Sequence, residues 1–218
     1  MKPEDILFEG ASRLGVELSG KESSLFMRYL DELKLWNREI NLTGLTNDRD
    51  IIINHFLDSI SASHFVGEGA HLLDIGSGAG FPGIPLKIVT PSLEVTLLDS
   101  SQKKVMFMRE IVRTLGLERI SAVWGRADDE GNGIERRRFD RVITRAVGQI
   151  PDMLRLSAPY LVPEGRIILM RGRRGGEEWK LSEAQVKGRF KLVERREFTL
   201  PFGGQSRVIF AVEPVGDL

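Results

Sequence analysis

The stretch LLDIGSGAGFPGIPLKI, Leu72 to Ile88, leads from an apolar run through glycines 76, 78, 80 and 83 into a segment with helical spacing. Glycine loses more conformational freedom on folding than any other residue, so this density is costly unless the backbone must turn tightly or lie against a ligand. Two ligands fit the letters. From Gly78 they read G-x-G-x-x-G, the dinucleotide pattern, and from Asp74 they read D-x-G-x-G-x-G, the pattern of an S-adenosylmethionine (SAM) site. Pro82 and Pro85 fall in the first helical turn, where a missing N–H costs nothing. Asp99, about 20 residues on, accepts hydrogen bonds from ribose hydroxyls of either ligand and does not separate them. Asp74 does. A carboxylate ending a buried strand needs cationic or N–H partners; SAM carries an ammonium and a sulfonium, whereas a pyrophosphate is repelled. The balance favours SAM, with a dinucleotide and a purely structural turn as the alternatives.

At 218 residues, 41% hydrophobic and 28% charged, the chain is long enough for one sizeable core. Lysine plus arginine equals aspartate plus glutamate at 31 each, so a nucleic-acid surface has to be a local patch. Cysteine is absent, which excludes disulfides, thiolate zinc sites and iron–sulfur clusters and fits a reducing compartment. It also excludes methylation through a cysteine nucleophile and radical chemistry on a cysteine-held cluster. The opening MKPEDILFEGASRLG carries acids where a signal peptide has its apolar core, and no window approaches 18 uninterrupted apolar residues. A soluble, cytoplasmic protein is expected.

From Pro3 to about Phe65 the apolar residues Leu25, Phe26, Tyr29, Leu30, Leu33 and Trp36 recur at helical steps. Residues 1–66 therefore read as a helical extension packed on the core, and 67–218 as the main domain of a single compact unit. There the texture alternates between strands at 71–75, 95–99, 120–124, 139–144 and 166–170 and helices from about Pro82, from Ser101 to Leu115 and near 150–158. KLVERREFTL and SRVIFAVEP flank PFGGQ as an antiparallel hairpin. The expected fold is α/β: a Rossmann-like, mostly parallel sheet with a C-terminal antiparallel hairpin, as in class I SAM-dependent methyltransferases, plus the N-terminal helices. Segments 129–138 and 171–178 carry no pattern and are expected to be mobile.

Downstream, WGRAD (124–128) follows the third strand, where Ala127 and Asp128 can read the adenine edge. ITRAV (143–147) ends the fourth strand without the polar turn common in amine methylases, and no carboxylate or histidine base follows it. A ring nitrogen such as guanine N7 has a lone pair and no proton to lose, so transfer to it needs alignment and desolvation more than a base. Arg145 can donate to guanine O6 or to the SAM carboxylate. His55, Asp58 and Ser59 share one helical face; stacked so, they lack the opposed geometry of a triad and form either a polar face toward the pocket or an internal network. Arginine clusters at 136–138, 171–174 and 195–196 are either solvated faces or RNA contacts at the pocket rim.

LDELKLWNREINLTGLT, HFLDSI, the glycine stretch, LLDSSQKKVMFMREIVRTLGL, GRADD and TRAV together resemble the bacterial methyltransferase G family, also called glucose-inhibited division protein B. The resemblance covers about residues 25 to 170. It implies a SAM-dependent guanine-N7 methyltransferase acting in the 530 loop of 16S rRNA. It also implies SAM contacts at Gly76, Phe81, Asp99, Ser100, Ser101, Ala127, Asp128 and Arg145. With Asp74, Gly78 and Gly80 from the loop reading, these are the candidate cofactor residues, and Arg145 is the candidate catalytic residue. The implied partner is 16S rRNA or the small ribosomal subunit, with no metal, no membrane and a monomeric state. RGRRGGEEW and the hairpin depart most from the family. An NAD(P)-binding oxidoreductase, a small-molecule methyltransferase and a non-catalytic RNA-binding protein stay open beside this reading.

Overall fold

The computed structural model describes residues 1–216. The N-terminal helices are α1 (Pro3–Arg13), α2 (Gly20–Ile40), α3 (Asp48–Ile51), a π-helical stretch (Ile52–Leu57), α4 (Asp58–Ile60) and α5 (Ser63–Val66). Helix α2 starts at a capping box in which Ser19 Oγ accepts from Glu22 N at 3.4 Å and the Glu22 carboxylate accepts from Ser19 N at 2.6 Å. It ends at Asn41, which takes the left-handed conformation that asparagine tolerates, φ 49°.

The sheet holds β1 (His71–Ile75), β2 (Glu94–Asp99), β3 (Ile120–Trp124), β4 (Phe139–Arg145), β5 (Leu161–Arg171), β6 (Phe190–Thr199) and β7 (Ser206–Pro214) in the order β3-β2-β1-β4-β5-β7-β6. The first five pair in parallel, and β7 runs antiparallel to both β5 and β6. The outer strand β6 alternates buried or half-buried with exposed positions and carries charges at Lys191, Glu194, Arg195 and Glu197, which guards a free edge. Strand order reverses between β1 and β4. Such a switch point leaves a crevice outside the carboxyl ends of the strands, where open α/β sheets bind ligands.

Helices α6 (Gly83–Val89), α7 (Gln102–Leu115), α8 (Ile150–Ser157) and α9 (Gly175–Val186) cover the faces. The strands expected from the sequence lie where the structure has them, except that β5 begins at Leu161, several residues early. The segment 171–178 was expected to be mobile; it instead ends β5 and opens α9, which buries Trp179 against Phe210 with ring centroids 4.9 Å apart. Segment 129–138 is irregular but tethered, because buried Asn132 donates Nδ2 to the Arg126 carbonyl at 2.9 Å and to Tyr160 Oη at 2.7 Å.

The N-terminal helices share a core with the sheet: Phe26, Tyr29 and Leu33 cluster with Phe81, Leu86, Phe107 and Ile111. Tyr29 stacks on Phe81 at 5.4 Å and donates its hydroxyl to the Ala79 carbonyl in the glycine loop. Tyr29→Phe leaves that buried carbonyl unpaired, at about 1 kcal/mol, so the melting temperature should fall by roughly 2–4 °C and SAM affinity should weaken with it. Thermal melts and calorimetric titration check this; an unchanged melt and affinity would mean that the loop is held by its own turns alone.

Candidate functional site

The apolar run of β1 delivers the chain to the crevice, and the glycine loop turns it. Gly76 takes φ 74°, and a Cβ there would come within 2.8 Å of Val147 Cγ2 in the loop after β4. Gly78 takes φ 60°, and a Cβ there would meet nothing within 4 Å. The backbone at Gly78 is thus bared to open space, the arrangement that a closely approaching ligand needs. That space is a cavity of about 460 Å³ walled by the loop, Phe81, Arg145, the π-helical stretch and β7.

Asp99 ends β2 beside this loop, with Oδ2 accepting from Gly78 N and Oδ1 from Ser101 N, each at 2.8 Å. Each oxygen keeps a further lone pair, so the carboxylate both fixes the loop and can accept from a ribose hydroxyl. Ser100 and Ser101 continue this bend, and the Ser100 carbonyl accepts from Trp124 Nε1 at 3.0 Å. Asp99, Ser100 and Ser101 stand behind Gly78 and do not themselves line the cavity, and the bared backbone at Gly78 with the carboxylate behind it fits SAM.

The other candidates are placed unequally. Asp74 is fully buried beneath the loop and does not line the cavity. Its Oδ2 accepts from Gly83 N at 2.9 Å, the first amide of α6, and its Oδ1 has no partner. Burial pushes its carboxyl up to about 7, against the lowering effect of the Gly83 amide. Gly80 lies in the loop at φ 91° under the Tyr29 hydroxyl. Ala127 and Asp128 lie outside the cavity, in the loop after β3; Ala127 accepts from Tyr160 Oη at 2.8 Å, and Asp128 receives Arg126 through two bonds of 2.9 and 3.0 Å.

Arg145 ends β4 and is the centre of a network. Its Nη1 donates to the Asn54 carbonyl at 3.0 Å and to Asp58 Oδ2 at 3.1 Å, and its Nη2 lies 3.2 Å from His55 Nδ1. A guanidinium has only donors, so His55 Nδ1 accepts, and the proton sits on Nε2, 2.7 Å from Thr43 Oγ1. Burial, aided by the Arg145 charge, lowers His55 to about 3, so it is neutral in the physiological range. Its ring stacks on Phe81 at 4.5 Å. Asp58 Oδ1 accepts from Arg207 Nε at 3.0 Å, so one buried carboxylate joins β4 to β7.

His55 and Asp58 thus turn toward the cavity, while Ser59 faces inward and donates to the His55 carbonyl at 2.5 Å, so the two readings of this face divide among its residues. Arg207, Asn54 and Thr43 were not singled out from the sequence. The one signal for Arg207 is a lone base opening the apolar run of β7, and a backbone carbonyl such as that of Asn54 leaves none.

The arginine clusters are corrected in part. Arg136 and Arg138 lie at the amino ends of the strands, opposite the cavity, paired with Glu130, Glu135 and Glu94. Arg195 pairs with Glu197 on the outer strand. Only Arg171 borders the cavity, and it is 6% exposed, not solvated. No helix among the described residues is long and apolar enough to cross a membrane.

The family model described as rRNA small subunit methyltransferase G matches residues 22–199. The ribosomal RNA small subunit methyltransferase G of Geobacter sulfurreducens is 41% identical over 208 residues, 95% of each chain. Among solved structures, a SAM-dependent methyltransferase from Aquifex aeolicus superposes with a TM-score of 0.58 at 17% identity, covering 74% of this chain and 92% of that one. A predicted O-methyltransferase from Agrobacterium tumefaciens gives 0.59 at 21% identity, covering 73% and 80%. At such identities the two structures bear on the fold, which is that of the SAM-dependent methyltransferases.

A carboxyl whose native pKa lies near 7 rather than 3.8 binds more protons folded than unfolded, so Asp74 costs stability increasingly as pH rises between those values. Asp74→Asn keeps an acceptor for Gly83 N and removes the titration. Its stability relative to the parent should therefore rise from about pH 4 to about pH 7 and then level off. Melts across that range check it; a difference that does not change with pH would mean that Asp74 stays ionised in the folded protein.

Proposed function

The chain belongs to the rRNA small subunit methyltransferase G family, and from that premise we propose that it methylates N7 of a guanosine in the 530 loop of 16S rRNA, with SAM as donor. One observation carries the choice of nucleophile: the cavity facing Gly78 holds no free base. His55 has both ring nitrogens engaged and is neutral, and Asp58, the cavity's carboxylate, has both oxygens on arginines. A nucleophile that must shed a proton would find, among these side chains of the described residues, only a carboxylate whose charge two arginines already neutralise. Guanine N7 needs no acceptor.

When bound, SAM supplies a methyl group on a sulfonium, which leaves as a neutral thioether as the N7 lone pair takes the methyl. The protein's part is placement and exclusion of water. Gly78 and Asp99 hold the donor side. Phe81 and His55 form an apolar wall, with the Arg145 guanidinium 5.2 Å from the Phe81 ring centre. Arg145, fixed by three partners, keeps its charge in one place to hold guanine O6 or the donor's carboxylate. The reading extends to a monomer without metal, working in the cytoplasm on small-subunit RNA or the subunit particle.

The test is methyl transfer to small subunits from cells lacking this gene, with the mark mapped on the RNA. One 7-methylguanosine in the 530 loop is expected; a mark elsewhere, or transfer to small molecules that survives RNase, would overturn the reading. Arg145→Ala should lower kcat by roughly 10²-fold while RNA affinity changes little. His55→Asn, which keeps an acceptor for Arg145 but cannot take a proton, should retain most of the rate; a loss as deep as that of Arg145→Ala would make His55 a base.

A further inference from the structure

A second cavity of about 580 Å³ lies between α8 and α9, and it shares Ala146, Arg171 and Gly172 with the first. The partition between them is therefore thin, and its one charged member is Arg171. This guanidinium is nine-tenths buried, and its Nη1 donates to the Val147 and Gly148 carbonyls at 2.9 and 3.1 Å. Its Nε and Nη2 have no hydrogen-bond partner, and the acid that acts on it, Glu178 in the lining of the second cavity, makes no bond to it. A buried cation with vacant donors, whose counter-charge at Glu178 acts only from a distance, is costly unless an anion bonds to it at some stage of function. The occupied Nη1 ties the side chain to the bend from Ala146 to Gly148, and Ala146 sits at φ 56°, a conformation that a residue with a Cβ rarely adopts. A Cβ on Gly172 would meet nothing within 4 Å, so the partition leaves room on that side.

The lining of the second cavity suits a nucleobase. Leu181 is 81% exposed, and Gln149 and Gln185 offer amide edges, an apolar body with donor and acceptor tips. Building on the rRNA reading above, we propose that this cavity is the subsite for the nucleotide adjoining the target guanosine, and that Arg171 receives the phosphodiester between the two. A target base drawn out of its stack carries its neighbour along by one backbone unit, and two cavities with one arginine between them follow the same order of base, phosphate and base. Because Nη1 holds the side chain to the Ala146–Gly148 bend, bringing Nε and Nη2 to a phosphate requires that bend to shift, with the phosphate then taking over from the carbonyls.

The test uses RNA carrying the target guanosine, intact or with one abasic nucleotide placed on either side. With the parent protein, one of the two abasic RNAs should raise KM on the order of tenfold, the effect of one lost base contact, with kcat little changed. The Leu181→Ser/Gln185→Ala variant alters exposed side chains only. It should have a raised KM on intact RNA and respond less than twofold to the same abasic site. Arg171→Met should flatten the salt dependence of RNA binding by about 0.7, and Arg171→Lys should restore the slope. If Arg171→Met fails to bind SAM, the surface variant carries the test. A parent protein that methylates its target but ignores both abasic sites, or a surface variant with parental KM, overturns the subsite and leaves the rRNA reading standing. A parent that leaves the RNA unmarked overturns both.

Discussion

The carboxylate of Asp58 is the contact on which the site depends. It is almost wholly buried, with one oxygen on Arg145 from β4 and the other on Arg207 from β7, and it belongs to the N-terminal helices that bring it there. A buried carboxylate between two arginines is tolerable only when its bonds are complete, and removing one partner of such a group costs about 3–5 kcal/mol. The N-terminal segment is thereby locked to β4 and β7, two strands on the same side of the switch point. The π-helical stretch between Ile52 and Leu57 sits at this junction and contributes the Asn54 carbonyl and His55 to Arg145. Local widening of a helix is frequent where backbone groups are turned to function.

Two kinds of support meet at the cavity. At the glycine loop, backbone geometry does the work: the loop turns at Gly76 and Gly78, Asp99 pins Gly78, and the hydroxyl of Tyr29 holds Ala79 from behind. At the end of β4, charge does it, through Arg145 and its partners. The N-terminal helices serve both. Tyr29 from α2 braces the first, and Asp58 from α4 braces the second, so a segment outside the sheet fixes both the glycine loop and Arg145. A reaction that needs alignment and no proton transfer suits such a construction.

The fold was legible because its signals are local. Buried parallel strands read as apolar runs, the glycines mark the one turn that must face a ligand, and the antiparallel end follows from the PFGGQ turn. Helix α9 was not legible: it opens on two glycines, its sequence GGEEWKLSEAQV has little apolar periodicity, and its anchor, Trp179, packs on a strand some 30 residues later. The site was half legible. Asp99 and Arg145 end strands that the apolar pattern fixes, and Gly78 lies in the loop that follows another. Arg207 is about 150 residues from its partner Asp58, and no spacing in the chain predicts that meeting. Asp74 was read as meeting a ligand's charge, yet the structure puts it beneath the loop against Gly83, because a strand's last residues alternate faces and sequence does not say which one the ligand lines. Arg171 looked like part of a solvated basic run; as the last residue of a buried strand, it is enclosed instead.

That the N-terminal helices form one wall of the reaction site, by holding Arg145 through Asp58, is tested most directly by a double-mutant cycle between these two residues, read on kcat for RNA methylation. Asp58→Asn and Arg145→Lys should each lower kcat, and the double variant should lose no more than the worse single one, a coupling in the range of roughly 0.5–3 kcal/mol. Circular dichroism and thermal melts measured alongside verify that each variant is folded. Losses that multiply independently would show that Arg145 acts without Asp58, and would contradict the account.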